Sequence, residues 1–299
     1  MEDGAAAGRR GRSGGLSVKA KNLASKLAYR KAKHPELTGE ARRVVDELER
    51  NGAAITGVEA LFGGDGLWDE LRRYAEHLFI SRAEEIEEAR RGANEEGAGK
   101  SYLLSLVPTG PIRVTPDNEI LARFALQGPL LEVANAYYGL YVRLRTFDVW
   151  QTFASTRPAR DSQLWHRDPA SDEHLLKVFV YLSDVDAGAG PFMYAAGTHP
   201  QGDVKANPRS RRVKGADRTT DEEMAEVVPP ERWITGVGPA GTIVLADTRG
   251  YHKGGEARER ERALYYCMYR TPGFQTRRFV RPISISSPLG KEQRAAVSP

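Results

Sequence analysis

The chain changes texture at Gly139, and that break limits its fold more than any other feature of its 299 residues. Beyond it come four short runs with period-two alternation, YVRLRTFDVWQTF, LLKVFVYL, GTIVLAD and ALYYCMY, separated by Gly, Pro, Asp and Ser. Successive side chains in a strand point to opposite faces, so this alternation predicts half-buried strands. No helical pattern lies between the runs, as a parallel βαβ fold would require. The expectation is a mainly β protein with flanking α-helices, its antiparallel sheets packed as a sandwich or jelly roll.

Before Gly139 the period is helical. TGEARRVVDELERNG puts Val44, Val45 and Leu48 on one face between a Thr38 cap and a Gly52 stop. Leu67, Trp68, Leu71, Tyr74, Ala75 and Leu78 form a second stripe, which runs into SRAEEIEEARRGANEEGAGK, read as a solvated helix end and loop. PLLEVANAYYG opens with Pro129 and closes at Gly139. The sequence thus predicts one domain over 22–299, with a helical part at about 38–139 and a β core at about 140–275. Within it, 201–232 is long, charged and strand-free, and is read as a mobile loop.

The formal charge of +4 would suggest a nucleic-acid partner if it were spread over the chain. Residues 1–21 hold five cations, Arg9, Arg10, Arg12, Lys19 and Lys21, against Glu2 and Asp3, which leaves only +1 elsewhere. That Gly/Ala/Ser-rich tail is expected to be disordered, and it lacks the apolar centre of a secretory signal. No run is long enough to cross a membrane. Nucleic acid and membrane are therefore not expected as partners, and the location is read as cytoplasmic. The single cysteine, Cys267, excludes an intrachain disulfide and a thiolate-rich metal site.

In QLWHRDPASDEH, His166 and Asp168 stand two residues apart, so in extended chain an imidazole and a carboxylate converge on one point. A jelly roll brings distant strands side by side, and His252, directly after the strand in GTIVLADTRGYHKGG, is the expected third ligand. Two histidines and one carboxylate leave the opposite positions of a metal open, the arrangement of non-haem Fe(II) oxygenases. The remaining histidines carry plainer readings: His34 and His77 as surface or packing residues, His174 in a loop or cap, His199 in the turn of GTHP.

WHRD with the following LKVFVYLSDV, then GAGPFMYAAGTHP, then GTIVLADTRGYHKGG with Arg262 beyond it, occur in an order that resembles the phytanoyl-CoA dioxygenase-like Fe(II)/2-oxoglutarate-dependent oxygenases. The resemblance runs from about Glu49 to Tyr269. It implies a double-stranded β-helix, a cupin-like jelly roll with helices on one side. It also implies Fe(II) held by His166, Asp168 and His252, with 2-oxoglutarate and dioxygen as co-substrates. An arginine some ten residues after the distal histidine would hold the far carboxylate of 2-oxoglutarate. Arg258, Arg260 and Arg262 share one parity, and Arg262 alone abuts the apolar run that can carry it into the barrel, where a bidentate fork suits a carboxylate.

The sequence departs from relatives in having Gly254 where a Ser or Thr often supplies a hydroxyl to the co-substrate. Lys177, Tyr181 and Gln151 are the candidates to replace it. Asp168 speaks against halogenation, which the resemblance associates with a small residue there. Hydroxylation of a small-molecule substrate is the default, and desaturation, epimerisation or ring formation would use the same residues. A secondary metabolite, an amino-acid derivative or an acyl thioester would each suit. An anionic substrate would also suit Lys205, Arg209, Arg211, Arg212, Lys214 and Arg218 of the basic segment, a lid at the barrel mouth. A zinc-dependent hydrolase on the same triad and a non-catalytic jelly-roll binding protein are the alternatives. The oligomeric state is not legible.

Overall fold

The computed structural model of the chain describes residues 12–64, 66–95, 100–107, 111–168, 175–213, 216–273, 283 and 285–298. His174 and Lys214 lie outside them, as do residues 1–11. Helix α1 (Arg12–Lys31) corrects the disordered tail expected over 1–21 for residues 12–21. Tertiary docking, which composition does not show, holds this helix. Asn22 Oδ1 accepts from Gly273 N at 2.9 Å, Ser25 Oγ donates to Tyr141 O at 3.0 Å, and Tyr29 packs edge-on against Tyr141.

Six helices follow in the first half: α2 (Gly39–Asn51), α3 (Val58–Phe62), α4 (Leu67–Ser81), α5 (Ala83–Gly92), α6 (Glu119–Ala125) and α7 (Gly128–Tyr138). Strands β1 (Ala53–Gly57) and β2 (Leu103–Ser105) interrupt them. The second half carries β3 (Arg143–Thr152), β4 (Leu175–Tyr181), β5 (Phe192–Ala195), β6 (Arg211–Val213), β7 (Ala216–Arg218), α8 (Asp221–Ala225), β8 (Trp233–Gly236), β9 (Thr242–Asp247), β10 (His252–Gly254), β11 (Arg262–Arg270) and α9 (Lys291–Val297). Gly52 ends α2 in the left-handed conformation with its N–H on Leu48 O, as the stop signal predicts. Thr38 occupies the cap position without a capping side-chain bond.

The strands close into a double-stranded β-helix. A six-stranded antiparallel sheet in the order β1-β9-β4-β11-β3-β2 faces a three-stranded sheet in the order β10-β5-β8. Parity sorts the side chains. Leu176, Val178 and Val180 of β4 and Tyr265, Cys267 and Tyr269 of β11 turn toward the helices, in one core with Val44, Val45 and Leu48. Burial of each such Val or Leu contributes about 1.5–3 kcal/mol. Phe179 and Tyr181, with Leu264, Tyr266 and Met268, turn inward against Phe192 and Tyr194 of the smaller sheet. The barrel interior is therefore aromatic at its closed end. Cys267 is buried and its thiol is pushed up to about 12 by burial, the inert behaviour of a packing residue.

The segment 201–232 is not strand-free, which corrects the reading of a loop without strands. Strands β6 and β7 pair as a hairpin, and Thr220 caps α8 by accepting from Glu223 N. Thr219 exchanges two backbone bonds of 3.0 Å with Trp165, while Met224 and Val228 pack with Trp165 in a small separate core. These partners are 50 or more residues away in sequence, so no local periodicity announces them.

Candidate active site

The two histidines of the expected triad are placed by each other's backbone. His166 N donates to His252 O and His252 N to His166 O, both at 3.0 Å, so the chain around His166 adds itself to the edge of β10. Asp168 N donates to Thr248 O at 2.9 Å. Thr248 lies in the turn after β9, which a buried ion pair between Arg249 and Asp247 clamps, with Tyr137 Oη donating to Asp247 Oδ2 at 3.0 Å. All three expected ligands thus hang on one rigid junction, and each offers a ligand atom within 4.8 Å of the others.

The tautomers are also set. His166 Nδ1 donates to Leu164 O at 2.8 Å and His252 Nδ1 to Gly250 O at 3.0 Å, because a carbonyl can only accept. Each Nε2 is left with its lone pair for a metal. Burial lowers the pKa of His252 to about 4 despite the attraction of Asp168. Burial and the neighbouring His252 lower His166 further, so both rings are neutral at neutral pH. Burial opposes ionisation of Asp168, but the ammonium of Lys177 at 2.6 Å from Oδ2, with His252 behind it, holds the carboxyl below the usual range. Two neutral imidazoles and an ionised carboxylate make the donor set for Fe(II).

The cluster opens into a cavity of about 840 Å³. Trp150, Phe179, Phe192 and Leu264 form its apolar wall, with Trp150 stacked on Tyr266 at 4.4 Å between ring centroids. Arg262 lies in the wall, 5% exposed, with Nη1 donating to Gly190 O and Nε lacking a partner. No carboxylate among the described residues pairs with it. Arg258 donates to Ser155 O and Arg157 O at 2.7 Å, and Arg260 pairs with Asp186, both outside the cavity.

Two candidates move. Gln151 faces away from the cavity, which takes Trp150 and Thr152 from the same strand, and its amide donates to Glu261 Oε2 at 2.8 Å. Tyr181 points inward but lies beyond the cavity wall, its hydroxyl donating to Gly236 O at 2.6 Å. Lys177 does line the cavity, seated on Asp168. Beside Gly254, whose Cβ position lies 3.9 Å from Arg262 Nη2, the hydroxyls at hand belong to Tyr102 and Ser162, paired at 2.7 Å. Alternation in DVWQTF could have shown Trp150 and Thr152 sharing a face; nothing in the sequence singles out Tyr102 or Ser162. His199 is buried with Nε2 on Glu49 O, a packing histidine, and His77 is exposed.

A methyl group at Gly250 would overlap Tyr194 Oη, which donates to Asp247 O. Gly250→Ala is expected to lower stability by about 1–3 kcal/mol through overpacking and, by shifting the carbonyl that orients His252, to weaken iron binding about ten- to a hundredfold. Thermal melting and an iron titration check the two effects.

Residues 141–261 match the profile of the phytanoyl-CoA dioxygenase (PhyH) family. No curated protein matches the chain. Among solved structures, EctD from S. alaskensis in its apoform is 19% identical, covering 88% of this chain and 89% of its own, with a TM-score of 0.51. AviO1 from Streptomyces viridochromogenes is 19% identical over 79% of this chain and 97% of its own, with a TM-score of 0.46. The epimerase SnoN, solved with Fe3+, alpha ketoglutarate and nogalamycin RO, is 16% identical over 77% and 82%, with a TM-score of 0.45. Among the described residues no helix is long and apolar enough to cross a membrane.

Proposed function

From the match of residues 141–261 to the phytanoyl-CoA dioxygenase family profile, we propose that this chain hydroxylates a C–H bond of a small molecule. Its enzyme class, a non-haem iron dioxygenase dependent on 2-oxoglutarate, follows from that match and the His-Asp-His cluster. The observation that carries the finer reading is Arg262, a buried guanidinium with a free Nε and no acid partner among the described residues, in the same cavity as the cluster. An uncompensated buried charge is costly, and a carboxylate from 2-oxoglutarate would compensate it.

When bound, iron with 2-oxoglutarate and dioxygen supplies the oxidative decarboxylation to succinate and carbon dioxide and the oxidising power for the C–H bond. His166, Asp168 and His252 would hold the metal. Arg262 would take the distal carboxylate, and the Tyr102–Ser162 hydroxyl pair stands where Gly254 offers none. Lys177 pairs with Asp168 Oδ2 and so fixes the plane of that carboxylate. The aromatic wall of Trp150 and Phe179 excludes water and packs the substrate carbon skeleton. A zinc hydrolase would need a general base beside the triad. Among the described residues the one further carboxylate in the cavity lining, Asp217, is exposed and 3.8 Å from Arg212.

The test is succinate formation with iron(II) and 2-oxoglutarate, stimulated by a true substrate from a panel of small molecules. Release of water-derived hydrolysis products without 2-oxoglutarate would instead favour the hydrolase. We also propose that the β6–β7 hairpin, which supplies Arg212 and Arg218 to the cavity, closes over the substrate. Arg211 and Arg212 are exposed, so trypsin should cut there in the iron-loaded protein. Saturating substrate with 2-oxoglutarate should slow cleavage several-fold; an unchanged rate would leave the hairpin a fixed wall.

A further inference from the structure

The charge around the cavity exceeds what iron and 2-oxoglutarate would use. Among the described residues its lining holds six cationic side chains and two carboxylates. Asp168 is committed to the cluster and to Lys177, and Asp217 to Arg212. Arg262 belongs to the co-substrate in the reading above, and Arg167 is used internally, on Asn207, Thr198 O and the face of Tyr251. Two cations remain, Lys100 and Arg218, the latter with one bond from Nη1 to Asp217 O. Neither has a carboxylate partner among the described residues, and Arg218 Nε is buried without any hydrogen-bond partner.

Their origin matters as much as their charge. Lys100 stands just before β2, at the edge of the large sheet, while Arg218 ends β7 in the hairpin that Thr219 ties to Trp165 on the opposite side. The two sides of the barrel thus each present one cation to the same cavity. Lys100 keeps water contact inside the concavity, yet burial by the surrounding protein, then Lys177 and, more weakly, Arg218 lower its hold on a proton, against the opposing pull of Asp161 and Asp168. Arg218 lines the same cavity as His166 and His252. Like charges held together in this way destabilise the free protein, and an anion between them relieves the repulsion.

Resting on the oxygenase reading, we propose that the substrate carries an anionic oxygen group, a carboxylate or a phosphate, and that Lys100 and Arg218 grip it from the two sides of the cavity mouth. The apolar wall of Trp150 and Phe179 then receives the uncharged part of the molecule. The grip fixes which carbon faces the metal ligands, so these two residues set regioselectivity as well as affinity.

The probes are phenyl phosphate and phenylacetate, titrated calorimetrically without dioxygen into full-length protein loaded with iron(II) and saturated with 2-oxoglutarate. At least one is expected to bind in the millimolar range or tighter, and more weakly as salt is added. Lys100→Met and Arg218→Met should each weaken that binding about tenfold or more, the usual loss for one charge-assisted hydrogen bond. Lys205→Met, which removes the same charge from an ammonium bonded to Pro200 O and Gly202 O outside the cavity, should leave it unchanged. Preference for phenyl phosphate assigns a phosphorylated substrate, and preference for phenylacetate a carboxylate. Melting temperatures near wild type confirm that the variants fold. Normal 2-oxoglutarate binding with no probe bound, or with probe affinity unmoved in both variants, overturns this inference alone. Failure of wild-type protein to bind 2-oxoglutarate overturns the oxygenase reading and this inference with it.

Discussion

His166→Ala, Asp168→Ala and His252→Ala should each lose all measurable turnover and most bound iron while keeping a near-native fold. Each removes one of three ligands from a cage whose shape is fixed by backbone bonds that alanine preserves: the reciprocal pair between residues 166 and 252 and the bond from residue 168 to Thr248 O. The side chains themselves contribute little to the core, since their Nε2 and carboxylate atoms face the cavity. Asp168→Ala also leaves Lys177 without its ion-pair partner beside the metal ligands, so it should impair iron binding beyond the loss of one donor. Iron content, circular dichroism and succinate formation, measured on the same preparations, check this. Wild-type turnover in any one of the three would remove that residue from the metal site.

Arg262→Ala should weaken 2-oxoglutarate binding by about 2–5 kcal/mol, the range for stripping one partner from a buried charge pair. At about 1.4 kcal/mol per tenfold this is roughly thirty- to several-thousand-fold in affinity. Arg262→Lys should recover only part of it, because a point charge cannot replace a fork already holding Gly190 O while meeting a carboxylate. Arg258→Ala and Arg260→Ala should change the affinity little, as both guanidinium groups are bonded outside the cavity. Titration of 2-oxoglutarate against the four variants without dioxygen separates binding from chemistry. A large effect at Arg258 with none at Arg262 would mean that the cofactor lies on the other side of the β11 strand start.

Strand parity and the triad were legible in the sequence because both rest on local periods. Alternation in LLKVFVYL and ALYYCMY already separated Val178 from Phe179 and Cys267 from Tyr266, and a burial preference acts on each residue where it stands. The H-x-D spacing puts two donors on one face by strand geometry alone, and the choice among Arg258, Arg260 and Arg262 followed from which of them the apolar run could carry inward. The same parity would have excluded Gln151, had the inward set of β3 been anchored on Trp150.

What the tertiary structure decided are the contacts between segments far apart in the chain. The bond of Tyr137 to Asp247, the hairpin ordered through Thr219 and Trp165, the docking of α1 on Tyr141, and the placing of Lys100 and Arg218 in one cavity lining depend on partners that only the closed barrel brings together. Tyr181 shows the limit most plainly. Its inward direction is a property of the strand, but whether an inward tyrosine reaches the cavity or stops behind its wall depends on depth along the barrel axis, and that is set by how the two sheets stack.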